Sequence, residues 1–210
     1  MASEQRSLEW HAERVGKLTA SRMADAMAWL KSGKGMTKVR SDLLCLIAAG
    51  RITGQKLDAD ISNIPAVRHG IENEEQAKNM LAIERGILGE DCGLILHPTI
   101  EHLGASPDFI YDGCPVEIKC PNPSTHMRYL SEKVVPEEYR PQMALQCLCL
   151  GVENGIFASF DPRFPEHLRL FMCEFKPGKE YLKLVESEAI QFLKEVEEVV
   201  KQMENLKCHQ

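Results

Sequence analysis

Residues 104–121 read Gly-Ala-Ser-Pro-Asp-Phe-Ile-Tyr-Asp-Gly-Cys-Pro-Val-Glu-Ile-Lys-Cys-Pro, the pattern of a β-hairpin. Ser106-Pro107-Asp108 opens a run that ends in Phe109, Ile110 and Tyr111. Asp112-Gly113 is a turn dipeptide, and Val116 to Lys119 alternates apolar with charged residues at the period of a strand. Val116 and Ile118 fall on one face, Glu117 and Lys119 on the other. With Asp108 at the bend into the hairpin, its carboxylate meets that of Glu117. Two carboxylates beside a lysine form a hard, oxygen-rich site that suits Mg²⁺, with Mn²⁺ as a substitute. The same spacing also fits a surface hairpin with its polar face in water, so the surrounding chain has to decide.

The 210 residues suit one domain with a sizeable core, and 44% hydrophobic with 27% charged residues is an ordinary globular composition. No apolar run approaches membrane-spanning length, and the N-terminus lacks the apolar core of a secretion signal. The eight cysteines form no C-x-x-C pair, and several sit among Leu, Ile and Met as small hydrophobes. A reducing, cytoplasmic location without an iron–sulfur cluster is expected. Net charge is −6, but residues 13–56 hold nine Lys or Arg against three acids. Residues 180–210 hold seven Glu against four Lys. The asymmetry allows one basic, DNA-facing surface on an acidic body.

Upstream of the hairpin, residues 5–14 predict a helix that buries Leu8 and Trp10. Thr19 or Ser21 is expected to cap a second helix reaching Leu30. Such an N-terminus beside Arg14 and Lys17 suits a phosphate, although an ordinary cap reads the same. Residues 31–38 form a basic loop without Walker spacing. A helix over 39–49 ends at Gly50, and another over 66–85 opens at Pro65 and stops at Gly86. Strands follow at 92–97 and 103–111. Downstream come a short helix at 124–131 and a helix at 137–150 with Gln142 and Gln146 on one face. Strands at 155–161 and 167–175 precede a helix from Lys179 with Leu182, Val185, Ile190, Leu193, Val196 and Val200 as its core stripe.

Five ordered segments, Arg-x(4)-Thr-Ala-Ser from Arg14, Gly70-x(3)-Glu74, Ser106-Pro-Asp, Glu117-Ile-Lys-Cys-Pro and Phe160-Asp-Pro-Arg, resemble the lambda exonuclease and YqaJ-like viral recombinase family of PD-(D/E)-x-K nucleases. Each segment alone is weak; all five in order are strong. The resemblance implies an α/β (α+β) fold with a restriction-endonuclease-like core, a central mixed sheet flanked by helices. One exonuclease domain is expected over 1–210: a basic, end-binding helical part (1–60), a nuclease core (66–175) and a C-terminal helix (179–205).

By the same resemblance, Asp108, Glu117 and the backbone carbonyl of Ile118 hold the metal. Lys119 orients water or stabilises charge, and Glu74 adds a third acid from its helix. Gln142 matches a glutamine of the family, while the family's second glutamine is replaced by Ala144, leaving Gln146 as a helical-phase substitute. Arg14 and Ser21, with Thr19 nearby, hold a terminal 5′-phosphate, and Ser106 and Lys34 are further expected DNA contacts. The expected activity is Mg²⁺-dependent 5′→3′ digestion of linear duplex DNA, leaving 3′ overhangs for recombination by strand annealing. A homotrimeric ring and a single-strand annealing partner are implied, in a phage or prophage setting within a bacterial host cell. The alternatives are a restriction-like or repair endonuclease with the same core, and a catalytically silent DNA-binding protein.

Overall fold

The hairpin forms where its turn chemistry places it. In the computed structural model, which describes residues 7–30, 32, 35–59 and 63–206, β4 (Phe109–Tyr111) pairs antiparallel with β5 (Cys114–Lys119). Asp112 and Gly113, at φ +48° and +73°, make the left-handed two-residue turn that matches strand twist. The preceding elements are α1 (Leu8–Ala12), β1 (Leu18–Thr19), a 3₁₀ turn (Ala20–Arg22), α2 (Met23–Ala26), α3 (Lys38–Thr53), α4 (Pro65–Arg85), β2 (Ile95–Leu96) and β3 (Leu103–Ala105). After the hairpin come α5 (Pro123–Glu132), a 3₁₀ turn (Glu137–Tyr139), α6 (Arg140–Leu150), β6 (Gly155–Phe160), β7 (Leu170–Phe175) and α7 (Lys179–Leu206).

The class is α+β, as expected, with the strands divided between two mixed sheets. One has the order β1-β3-β2, the other β4-β5-β6-β7. Pro107, which has no N–H to donate, stands between β3 and β4 and helps end one ladder before the next begins. In the larger sheet β5 is parallel to β6, and β7 is antiparallel to β6.

Strand alternation sorts the core. Val116 and Ile118 pack with Ala158 and Phe160 and with Ala77, Met80 and Leu81 of α4. Phe157 faces the other way, into the cluster containing Met143, Ala144 and Cys147 of α6 and Val185 and Phe192 of α7. Each fully buried aliphatic or aromatic side chain contributes roughly 1.5–3 kcal/mol. Apolar walls on both faces therefore hold β5 in place even though Glu117, 2% exposed, lies within it.

Several boundaries differ from expectation. The first helix spans only Leu8–Ala12 within the described residues, and Leu8 is 85% exposed. No side chain caps the turn after Thr19, and Ser21 lies inside it; α2 is only four residues long. Gly50 does not end α3, which continues to Thr53 and stops at Gly54 in the left-handed region. A side chain at Gly50 would meet the Gly16 nitrogen at 3.1 Å, so this glycine serves close packing against the 15–16 loop. The expected 92–97 strand shrinks to Ile95–Leu96; at its far end His97 turns the chain, its Nδ1 accepting from the Thr99 and Ile100 amides. Likewise 167–169 form a turn on the Pro165 carbonyl rather than strand. In α7, Ala189 and Phe192 are fully buried where the stripe predicts Ile190, and Ile190 is only partly covered.

Candidate active site

Asp108 sits at the bend that leads into β4. Its amide donates to the Val116 carbonyl at 3.1 Å, and its Oδ2 accepts from the Ile118 amide at 2.5 Å. That second bond ties the carboxylate to the strand bearing Glu117. Burial, and next the charge of Glu117, push the Asp108 carboxyl well above the usual range, with Lys119 and the Ile118 amide opposing.

Glu117 projects from β5 towards α6, where it is held on both oxygens. Oε1 accepts from Gln142 Nε2 at 2.6 Å and from Lys119 Nζ; Oε2 accepts from Gln146 Nε2 at 2.5 Å. Gln142 and Gln146, one helical turn apart, thus clasp one carboxylate. Gln146 is a full partner, more than the substitute its sequence position suggests. It is fully buried, and its Oε1 has no hydrogen-bond partner among the described residues.

Lys119 also lies 4.8 Å from the centre of the Tyr139 ring. Burial opposes its charge, but Glu117, Asp108 and Tyr139 outweigh it and raise its pKa. The ammonium therefore stays protonated at neutral pH, which suits orientation and charge stabilisation rather than proton abstraction.

Glu74 reaches this region from α4. With Ala77 and Leu81 three and seven residues on, it lies on the sheet-facing stripe. Its charge is felt at Asp108, although it does not line the cleft with Asp108 and Glu117. Glu72 and Glu75 are exposed.

The second half of the cleft comes from the N-terminal segment. A hollow of about 190 Å³ is lined by Trp10, Arg14, Thr19, Ser21 and Ser106 together with Asp108, Glu117, Lys119 and Gln142. Arg14 stacks over the Trp10 ring at 3.2 Å, donates to the Trp10 carbonyl at 2.7 Å and donates to the Ser106 hydroxyl. Ser106 in turn donates to the Gly93 carbonyl at 2.6 Å. Burial lowers the Arg14 pKa to about 10, against the pull of Glu13, so the guanidinium remains charged near neutrality. Thr19 Oγ1 and Ser21 Oγ lie 3.4 Å apart. Lys34 lies outside the described residues.

Trp10, the stacking surface for Arg14, was not assigned to this constellation from the sequence, and Gln146 entered it only as a helical-phase substitute for the family's second glutamine. Both were signalled by four-residue spacing, Gln142 to Gln146 and Trp10 to Arg14.

A family model for the YqaJ-like viral recombinase domain matches residues 9–153. The chain belongs to the YqaJ-like viral recombinase family. Among solved structures it is similar to an alkaline exonuclease, LHK-Exo, from Laribacter hongkongensis, at 32% identity and TM-score 0.86 over 96% of this chain and 98% of that one. The complex of LHK-Exo with dAMP matches equally well. A phage-related exonuclease from Haemophilus somnus 129PT shares the fold at 14% identity and TM-score 0.71, over 89% of this chain and 96% of that one. A comparison with curated proteins returned no match. Family membership and the LHK-Exo likeness support a nuclease. No helix among the described residues is long and apolar enough to cross a membrane.

Proposed function

We propose that the protein is a metal-dependent exonuclease that digests linear duplex DNA 5′ to 3′, leaving 3′ single strands for recombination by annealing. The observation that carries this reading is the single cleft in which Arg14, Ser21 and Ser106 face Asp108, Glu117 and Lys119. An anion-binding half beside a carboxylate half suits a substrate held by its terminal phosphate and cut nearby. The likeness to an alkaline exonuclease solved with a nucleoside monophosphate supports the same reading.

The donor set fits Mg²⁺ or Mn²⁺. Asp108 and Glu117 supply hard oxygens that converge on one cleft. The Ile118 amide points at Asp108; in an extended strand its carbonyl shares that edge and can complete the set. When bound, one or two such ions supply hydroxide near neutral pH and neutralise charge on the phosphoryl oxygens. Gln142 and Gln146 fix the rotamer of Glu117. Lys119 orients the attacking water and offsets negative charge as it builds on the phosphate. Arg14, stacked on Trp10, receives the terminal phosphate with Ser21 and Ser106, setting the distance from strand end to scissile bond. A homotrimer around DNA and a single-strand annealing partner complete the proposal, in the cytoplasm of a bacterial host.

The test is digestion of linear duplex labelled separately at each 5′ and 3′ end, with and without Mg²⁺, beside covalently closed circles. Release of the 5′ label first, only with Mg²⁺ and only from linear DNA, is the expected result. Efficient cutting of closed circles overturns the end-dependent reading in favour of an endonuclease. Absence of cutting under every condition overturns the enzyme.

A further inference from the structure

Lys78 lies on α4 one turn after Glu74 and on the same face. Its ammonium is 2.9 Å from Asp91 Oδ1 and 4.0 Å from Glu74 Oε1. The two partners differ in setting: the Glu74 side chain is 14% exposed and that of Asp91 82%. Burial works against the Lys78 charge, but Asp91, Glu74 and Asp108 outweigh it and raise its pKa. Lys78 is thus tied to Asp91 and Glu74, and Asp108 is close enough for its charge to be felt there. Among the described residues no three acidic, histidine or cysteine side chains are gathered into a metal-holding group.

We propose that Lys78 is a positioning residue that shares itself between Asp91 and Glu74 and thereby sets the divalent-cation affinity of the Asp108–Glu117 site. The inference rests on the metal-dependent reading above. A dication between Asp108 and Glu117 is repelled by Lys78. To recruit Glu74 as a third acid, directly or through water, it must draw Glu74 away from that lysine. Asp91 favours the exchange, because it holds the ammonium from the solvent side while Glu74 turns inward. Lys78 is thus a built-in competitor for Glu74, and Asp91 weakens the competition.

The experiment is a thermal-shift titration of the full chain with MgCl₂ and with MnCl₂, without DNA, reading the midpoint of the stabilisation. Lys78→Met should lower the midpoint concentration about fivefold, by removing one nearby positive charge. Asp91→Asn should raise it, since Lys78 then leans fully on Glu74, and Lys78→Arg should stay near wild type. A purely structural role for Lys78 would lower the metal-free melting temperature and leave the midpoint where it was; that result overturns the inference. If Lys78→Met does not fold, Asp91→Asn still decides, and an unchanged or lower midpoint there overturns it. A wild-type midpoint equal to that of Asp108→Asn overturns the metal reading itself. A wild-type midpoint below that of Asp108→Asn, with Lys78→Met unmoved, overturns only the role of Lys78.

Discussion

The two halves of the cleft are built by opposite means. The carboxylate half stands on a six-residue strand walled by apolar clusters on both faces, and Glu117 is held there by three side chains. The anion half stands on a five-residue helix, a two-residue strand and a 3₁₀ turn, with Arg14 held by stacking on Trp10 and by Ser106. The first is pre-organised by the core, as the proposed reaction centre needs to be. The second is irregular backbone carrying donors, which can adapt to a strand end. On the proposed function, chemistry and end selection are thus carried by different halves, and substitutions in the two should differ in kind.

The largest effects belong to the carboxylate half. Lys119→Ala should lower the digestion rate at saturating DNA on the order of 10²–10³-fold, the scale of losing one fixed charge-stabilising group. The fold should survive, because Glu117 keeps both glutamines. Single-turnover rates alongside circular dichroism check this, and a fully active variant would remove Lys119 from the site. Gln146→Leu comes next. It strips the partner from a buried carboxylate oxygen, so stability should fall by about 1–3 kcal/mol, read from the urea midpoint. An unchanged midpoint would mean that the clasp is not what organises this half.

The same division explains what could be read from the sequence. The hairpin was legible because Asp112-Gly113 and the alternation of Val116 to Lys119 are short-range signals that fix a turn and two faces. The α4 limits were legible for the same reason, from Pro65 and Gly86. Gly50 misled because a glycine required for close packing looks like one that ends a helix; only the approach of Gly16 distinguishes them. The tie between Arg163 of the Phe-Asp-Pro-Arg segment and His69 of α4, 3.2 Å apart, joins residues 94 positions distant and has no local signature. Nor has the Arg14–Ser106 bond, which ties the N-terminal segment to the entry of the hairpin. Local pattern gave Asp108, Glu117 and Lys119 of the carboxylate half. In the anion half it gave only a candidate phosphate site beside Arg14, and the 5′-phosphate roles of Arg14 and Ser21 rested on the family resemblance.

The smallest predicted effect tests the anion half. Arg14→Ala should raise the apparent KM for 5′-phosphorylated duplex about tenfold, the scale of one charge-assisted hydrogen bond of roughly 1.4 kcal/mol. The maximal rate should hardly change. Duplex ending in a 5′-hydroxyl should respond little, since it has no terminal phosphate for the guanidinium to hold. Arg14→Lys should recover only part of the loss: a lysine keeps the charge but not the planar fork that both stacks on Trp10 and bonds Ser106. Equal loss on phosphate and hydroxyl ends would show that Arg14 acts through the structure of the N-terminal segment. In that case the two halves are one mechanical unit, and the separation between cutting and end selection fails.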